Sequence, residues 1–332
     1  MPEILWVNKI YDDGWHNMNT HLSYWRGVYY VCFRSGASHR SPEGKIVLLA
    51  SEDLEHWERV SVPVNTIGDD RDPHMVATPD RLYIYFATWM IREGEKVDTG
   101  KVPLRDLWSF CCSTEDGKRW SRPSRIYKRN NFFWIPILVN NRYYCVSYLG
   151  GSLPEEREKW SVDFLQSDDG LNWEHVATIL DHGTPNETAI YMKPNGIIQA
   201  VIRAETDKVA SFMAESRPPY IKWKVWEIET VIQSPEILKL GDEFYVAGRN
   251  SVLDPGNPES INARTCIWRI NENDVEPLIA LPSGGDTAYP GMLAIDHNRI
   301  LISYYSQHEV INSPNYQILA SPSHIYLACV RV

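Results

Sequence analysis

Repetition organises this chain. Short runs rich in Tyr, Val, Ile, Phe and Trp recur along it, separated by turn pairs such as Arg26-Gly27, Asn195-Gly196 and Gly241-Asp242. The runs fall into groups of four. HLSYWRG, VYYVCFRSG, KIVLLASED and HWERVSVP form the first, and the later groups repeat its order. First strands begin near residues 20, 71, 133, 187, 234 and 288. The step is about 54 residues, close to the period of a four-stranded propeller blade. The last group has only three strands, while residues 2–10 supply a spare one. Together they predict an all-β, six-bladed β-propeller in a single domain over residues 1–332. Residues 2–10 would complete the C-terminal blade, so that no sheet edge of the ring is left open.

Composition narrows the function classes. Lys and Arg number 33 against 43 Asp and Glu, a net charge of −10, and no basic run stands out. A phosphate-tracking groove for nucleic acid is therefore not expected. No stretch approaches the roughly 20 apolar residues of a membrane span. The start, MPEILWVNKIYDDG, lacks the pattern of a signal peptide, so a cytoplasmic location is the expectation. The six Cys sit mostly in apolar runs such as YYVCF and YLACV without metal-ligand spacing; they read as buried thiols, and neither metal nor cofactor is expected. Oligomeric state is left open. Aromatic residues make up 12% of the chain, enough to suggest sugar-stacking surface, although blade packing claims most of them.

A second pattern recurs before the fourth strand of a group. Ser113-Thr-Glu-Asp-Gly-Lys-Arg-Trp120 and Gln166-Ser-Asp-Asp-Gly-Leu-Asn-Trp173 share an acid five residues before the Trp and a Gly three before it. Ala50-Ser-Glu-Asp-Leu-Glu-His-Trp57 keeps the acid and the Trp. An acid can accept turn N–H groups, a Gly permits positive φ, and a Trp can pack between blades. This resembles the Asp-box of the sialidase superfamily, whose members are six-bladed propellers that cleave terminal acidic sugars.

In a propeller the starts of innermost strands and the ends of second strands meet at the central channel. Charged groups there are costly unless paired or functional. These positions hold Arg71, Asp72, Trp134, Glu187, Glu236 and Tyr289 on first strands, and Arg34, His39, Arg92, Arg203, Arg249, Tyr304 and His308 at or beyond the ends of second strands. The resemblance implies a Glu-then-Arg strand pair, which Glu187 and Arg203 match. It also implies a following Arg, matched by Arg249 in VAGRNS, and a nucleophilic Tyr, matched by Tyr289 in GGDTAYPGM. Two positions depart from it: HNMNTHLSYW offers Asn19 or His21 where the family has Arg, and the loop SGASHRSPEG offers His39 where it has Asp.

Expected catalytic groups are thus Glu187, Tyr289, His39 and Asp72. Substrate-binding groups are Arg34, Arg71, Arg203, Arg249, Glu236, Tyr304, His308 and Trp134, with an oligosaccharide as the partner. Arg34, Arg203 and Arg249 would clamp a substrate carboxylate. The expected activity is exo-hydrolysis of a terminal uronic or sialic-type sugar. Three alternatives stay open: a uronate lyase using the same groups, an arabinan- or fructan-type hydrolase suggested by Arg71-Asp72-Pro73, and a propeller that binds glycan or protein without catalysis.

Overall fold

The computed structural model describes residues 1–62, 64, 66, 68–90, 106–149, 160–205, 210–254, 257–311 and 319–332; Arg92 lies outside them. The described residues contain strands and turns only, and no helix long and apolar enough to cross a membrane.

β1 (Glu3–Tyr11) opens the chain. Blade one is β2 (His16–Trp25), β3 (Val28–Gly36), β4 (Lys45–Ser51) and β5 (Glu58–Val60). Blade two is β6 (Gly68–Ala77), β7 (Leu82–Met90), β8 (Asp106–Thr114) and β9 (Ser124–Ile126). Blade three has a split innermost strand, β10 (Phe132–Phe133) and β11 (Ile137–Val139), followed by β12 (Arg142–Leu149), β13 (Ser161–Ser167) and β14 (Glu174–Leu180). Blade four is β15 (Pro185–Met192), β16 (Ile198–Ala204), β17 (Ser211–Ser216) and β18 (Trp223–Ile228). Blade five is β19 (Gln233–Leu240), β20 (Glu243–Asp254), β21 (Asn257–Ile270) and β22 (Val275–Ala280). Blade six is β23 (Thr287–Ala294), β24 (Arg299–Ser306) and β25 (His324–Arg331), and β1 pairs antiparallel with β25 as its outer strand. The chain is a six-bladed propeller closed by its N-terminal strand.

The core lies between blades. Trp25, Leu48, Ile84 and Cys112 fill the seam of blades one and two. Tyr144 and Phe164 of blade three stack on each other with centroids 5.7 Å apart, and Phe164 packs on Trp223 of blade four at 5.2 Å. Burial of each such ring contributes roughly 2–3 kcal/mol. All six Cys are free, and all but the half-buried Cys266 are buried in these layers.

The recurrent turns work as hydrogen-bonded caps. Asp53, Asp116 and Asp169 each accept two backbone N–H groups at 2.7–2.9 Å. These bonds hold all three carboxyls below the usual range, although slight burial of Asp169 works the other way. The accepting acid is the one four residues before the Trp, not five as the sequence pattern suggested. Leu54, with φ of 68°, occupies the position that Gly117 and Gly170 fill elsewhere. Blade four carries an acid-free copy: Tyr220 takes φ of 64°, and Trp223 Nε1 donates to its carbonyl at 3.1 Å, as Trp57 does to Leu54 and Trp173 to Gly170.

One irregularity repeats around the channel. On five innermost strands, two consecutive residues oppose a single residue of the second strand: Asn19-Thr20, Asp72-Pro73, Asn186-Glu187, Ser234-Pro235 and Tyr289-Pro290. In blade three the break between β10 and β11, residues 134–136, falls at the same place. A bulge bends the strand and re-aims its side chains. Asn19, Asp72, Ser234 and Tyr289 sit there at φ of 57°, 51°, 49° and 46°. Asn and Asp tolerate this region, whereas Ser and Tyr hold it at a cost of about 1–3 kcal/mol met by surrounding packing.

Candidate functional site

The ring of bulges gathers Glu187, Tyr289 and Asp72 into one nearly buried cluster. The Tyr289 hydroxyl donates to Glu187 Oε1 at 2.5 Å. Glu187 Oε2 pairs with Arg203 at 2.7 Å and accepts the Ser234 N–H at 2.8 Å. Burial opposes ionisation of Glu187, but Arg203 and the Tyr289 hydroxyl outweigh it and hold its carboxyl below the ordinary value. Burial, with the Glu187 charge beside it, pushes the Tyr289 phenol well up. The pair is therefore an ionised acceptor and a neutral donor.

Asp72 differs. Burial first, and the nearby Glu187 charge, push it up to about 6 although Arg71 works against them. Asn19 donates to its Oδ1, and Arg71 Nε donates to Oδ2 at 3.2 Å. A carboxyl that still carries its proton in mildly acidic solution is suited to proton donation.

Several guanidinium groups converge here. Arg71 lies over the face of Trp89 at 4.1 Å, and Arg40 approaches the same ring at 5.1 Å. Among the described residues no carboxylate pairs with Arg40; burial and the Arg71 charge lower its pKa. Arg249 Nε donates to Gln233 at 2.8 Å, and its Nη1 reaches Asp286 at 3.5 Å. Burial, then the charges of Glu187 and Asp72, push the Tyr148 phenol well up.

Five expectations are corrected. Arg34 is fully enclosed: its Nε donates to Asp69 at 2.6 Å and its Nη1 to the Ser38 carbonyl at 2.9 Å. It braces the loop 36–44 instead of clamping a ligand. A Cβ on Gly44 would come within 1.8 Å of Asp69 Oδ1, so only glycine fits beside that ion pair. Tyr304 lies opposite the blade-six bulge and points between blades, where it donates to Pro282 and stacks on Tyr326 at 5.4 Å. Its neighbour Tyr305 faces the channel and donates to Asp286 at 2.7 Å. His308 rests on Tyr326 at 4.8 Å, away from the cluster. Glu236 is buried past the bulges, accepting the Met292 N–H at 2.9 Å with His21 Nε2 at 3.6 Å. Trp134 is a floor and not a stacking surface: it is buried, donates to the Pro235 carbonyl at 2.8 Å and packs beneath Tyr289 at 5.8 Å.

His39 reaches the channel but engages Asp286 at 2.7 Å through Nδ1. Burial lowers its pKa to about 4 against the pull of Asp286, so the ring is neutral near pH 7 and cannot act there as an acid. Asp286, His16 and Arg40 were missed from the sequence. Asp286 stands three residues before Tyr289 in GGDTAYPGM and Arg40 directly follows His39, so proximity to chosen candidates was the available signal. A surface cavity of about 640 Å³ at the outer turns of blades one and two, lined by Tyr30, Asp53, His56 and Lys118 among others, holds none of the candidates.

Comparison with solved structures agrees with the architecture. A protein of unknown function from Dyadobacter fermentans superposes with a TM-score of 0.79 at 18% identity, over 100% of this chain and 99% of that one. The Trypanosoma rangeli sialidase in complex with sialic acid superposes with a TM-score of 0.66 at 12% identity, over 95% of this chain and 54% of the sialidase. The phage phi92 endosialidase gives 0.65 at 12% identity, over 98% and 69%. The chain thus has the sialidase-type propeller fold and spans about half the length of the trypanosomal enzyme. No protein-family model matches the chain, and no curated protein matches it.

Proposed function

We propose that the protein is an exo-acting glycoside hydrolase that removes a terminal acidic sugar from an oligosaccharide. The contact of Tyr289 with Glu187 carries this reading: a neutral phenol 2.5 Å from a carboxylate that Arg203 keeps ionised. As the phenol oxygen attacks the anomeric carbon, its proton passes to Glu187. The departing glycosidic oxygen takes a proton from Asp72. Water then displaces the phenol, giving a proton to the ionised Asp72, while Glu187 returns the other to Tyr289. Each step uses charges fixed before substrate arrives. Arg40, Arg71 and Arg249 supply the cationic side of the channel, which supports a substrate carboxylate and not a neutral sugar.

Aryl glycosides and oligosaccharides capped with uronic or sialic acids form the test set. Turnover of an acidic substrate that Glu187→Gln abolishes is the expected result. Equal turnover by that variant would sink the hydrolase, and binding without turnover across the set would make the protein a lectin-like propeller. A second reading rests on His39, which is neutral and held by a carboxylate as a base needs. If it removes the proton beside a uronate carboxylate, the product absorbs in the ultraviolet as an unsaturated uronate, and hydrolysis products do not.

A further inference from the structure

Where the ring closes, blade six meets blade one, and three side chains from distant parts of the chain converge. His16 comes from β2, His39 from the loop after β3, and Asp286 from the residue before β23. Nε2 of His16 lies 3.1 Å from Asp286 Oδ2, and Nδ1 of His39 lies 2.7 Å from the same oxygen. One ligand atom from each residue falls within 4.8 Å of the others. Side chains of His16 and Asp286 are fully buried, while that of His39 keeps 22% of its surface exposed.

Hydrogen bonding fixes what His16 presents. Its Nδ1 lies 2.7 Å from the Ser321 carbonyl, which can only accept, so Nδ1 carries the proton. In the neutral ring Nε2 is then a bare lone pair aimed at a carboxylate oxygen. Two acceptors facing each other in a dry site repel unless a positive charge stands between them. The charge can be a second proton on His16 or a metal ion. A carbonyl on the far nitrogen is the arrangement that orients metal-binding imidazoles. The carboxylate is braced in the same way: Asp286 Oδ1 accepts from Tyr305 at 2.7 Å and meets Arg249 at 3.5 Å, and the Asp286 N–H donates to Gln307 at 2.9 Å. Among the described residues, the two imidazoles are what meets Oδ2.

We infer that His16, His39 and Asp286 bind a divalent transition-metal ion of the zinc or cobalt class, with a further coordination position open on the His39 side. Two imidazoles and one carboxylate favour such ions over calcium or magnesium, which take mainly oxygen. Ligands at about 2 Å from a tetrahedral ion stand about 3.3 Å apart, so the present separations need only small side-chain adjustments. The ion would add a staple between blade six and blade one, beside the apolar seam of Met18, Leu22, Leu301 and Ile325 that already joins them, and would fix the loop that presents Arg40.

Protein stripped with chelator and titrated with Co²⁺ is expected to develop a saturable visible absorption band at one ion per chain. Zn²⁺ should displace it, and saturating Zn²⁺ should raise the melting temperature by several degrees. His39→Ala, in a partly exposed loop, should abolish the band while circular dichroism shows an unchanged fold. His308→Ala, on the rim, should keep it. If His39→Ala fails to fold, His39→Asn is titrated in its place. Wild-type protein that takes up no ion overturns the proposal. A folded His39 variant that binds Co²⁺ as wild type does also overturns it. Because the readout is binding, it stands or falls separately from hydrolysis.

Discussion

The phenol of Tyr289 meets the carboxylate of Glu187 across 2.5 Å and 102 residues of chain, joining the bulge of blade six to that of blade four. Both partners owe their direction to those bulges. Regular pairing would have alternated their side chains into the sheet faces. The strained φ of 46° at Tyr289 is part of that geometry, and the Tyr289 N–H is anchored on the Ser234 hydroxyl at 3.2 Å.

Removing either partner should therefore stop the same step. Tyr289→Phe and Glu187→Gln are each expected to lower kcat by about 10³-fold or more, and the double variant by scarcely more than either alone. Steady-state kinetics on the best substrate of the panel measures this. Additive losses would mean that the two residues act independently.

A pH profile follows from the two carboxyls. Asp72, pushed up to about 6, must keep its proton, so kcat/KM should fall as pH rises through about 6. Glu187, held below the ordinary glutamate value, must lose its proton, so activity should fall again only below the usual carboxylate range. The optimum is acidic. Asp72→Asn should remove the alkaline limb, and an alkaline limb that persists in this variant would exclude Asp72 as the proton donor.

Arg34 and Arg40 lie six residues apart and should respond oppositely to truncation. Arg34→Ala removes the partner of Asp69 at 2.6 Å, leaving Arg71 at 3.6 Å as its remaining cation, and should cost about 3 kcal/mol of stability. Arg40→Ala removes a guanidinium that no carboxylate pairs among the described residues and should leave melting nearly unchanged while raising KM for an acidic substrate by about tenfold. Calorimetry with kinetics on both variants decides the matter. A destabilised Arg40→Ala with normal KM would return that residue to the scaffold.

Those two arginines show where sequence reading stops. The six units and the spare N-terminal strand were legible because strand length, turn residues and period are local properties. So was the pairing of Glu187 with Tyr289, through resemblance. Arg34 was misread because its burial depends on Asp69, thirty-five residues on, and on a loop folded over both. Tyr304 was chosen over Tyr305 because the bulge at Tyr289-Pro290 shifts the register by one residue, which exchanges the faces of the paired strand. His16 and Asp286 are 270 residues apart and meet only because the ring closes. A Pro follows the bulged residue in Asp72-Pro73, Ser234-Pro235 and Tyr289-Pro290, a recurring signal that marks the three bulges.

Glu236 carries the remaining prediction, one of stability. His21 Nδ1 accepts the Met75 N–H at 3.2 Å, so its neutral ring turns an Nε2–H toward Glu236 Oε2, and among the described residues no cation pairs with this carboxyl. Burial pushes this carboxyl up to about 8 from 4.5, with the Met292 N–H opposing only in part. The folded protein thus holds a proton that the unfolded chain releases at lower pH. That stabilisation is complete below about 4.5 and lost as pH rises toward about 8, a change on the order of a few kcal/mol. Glu236→Gln keeps the shape and the Met292 bond without the titration. Its melting temperature should exceed that of wild type near pH 8 and converge with it near pH 4.5, as scanning calorimetry across that range would record. Parallel curves for the two proteins would mean that Glu236 is ionised in the native state and that a charge partner stabilises it there.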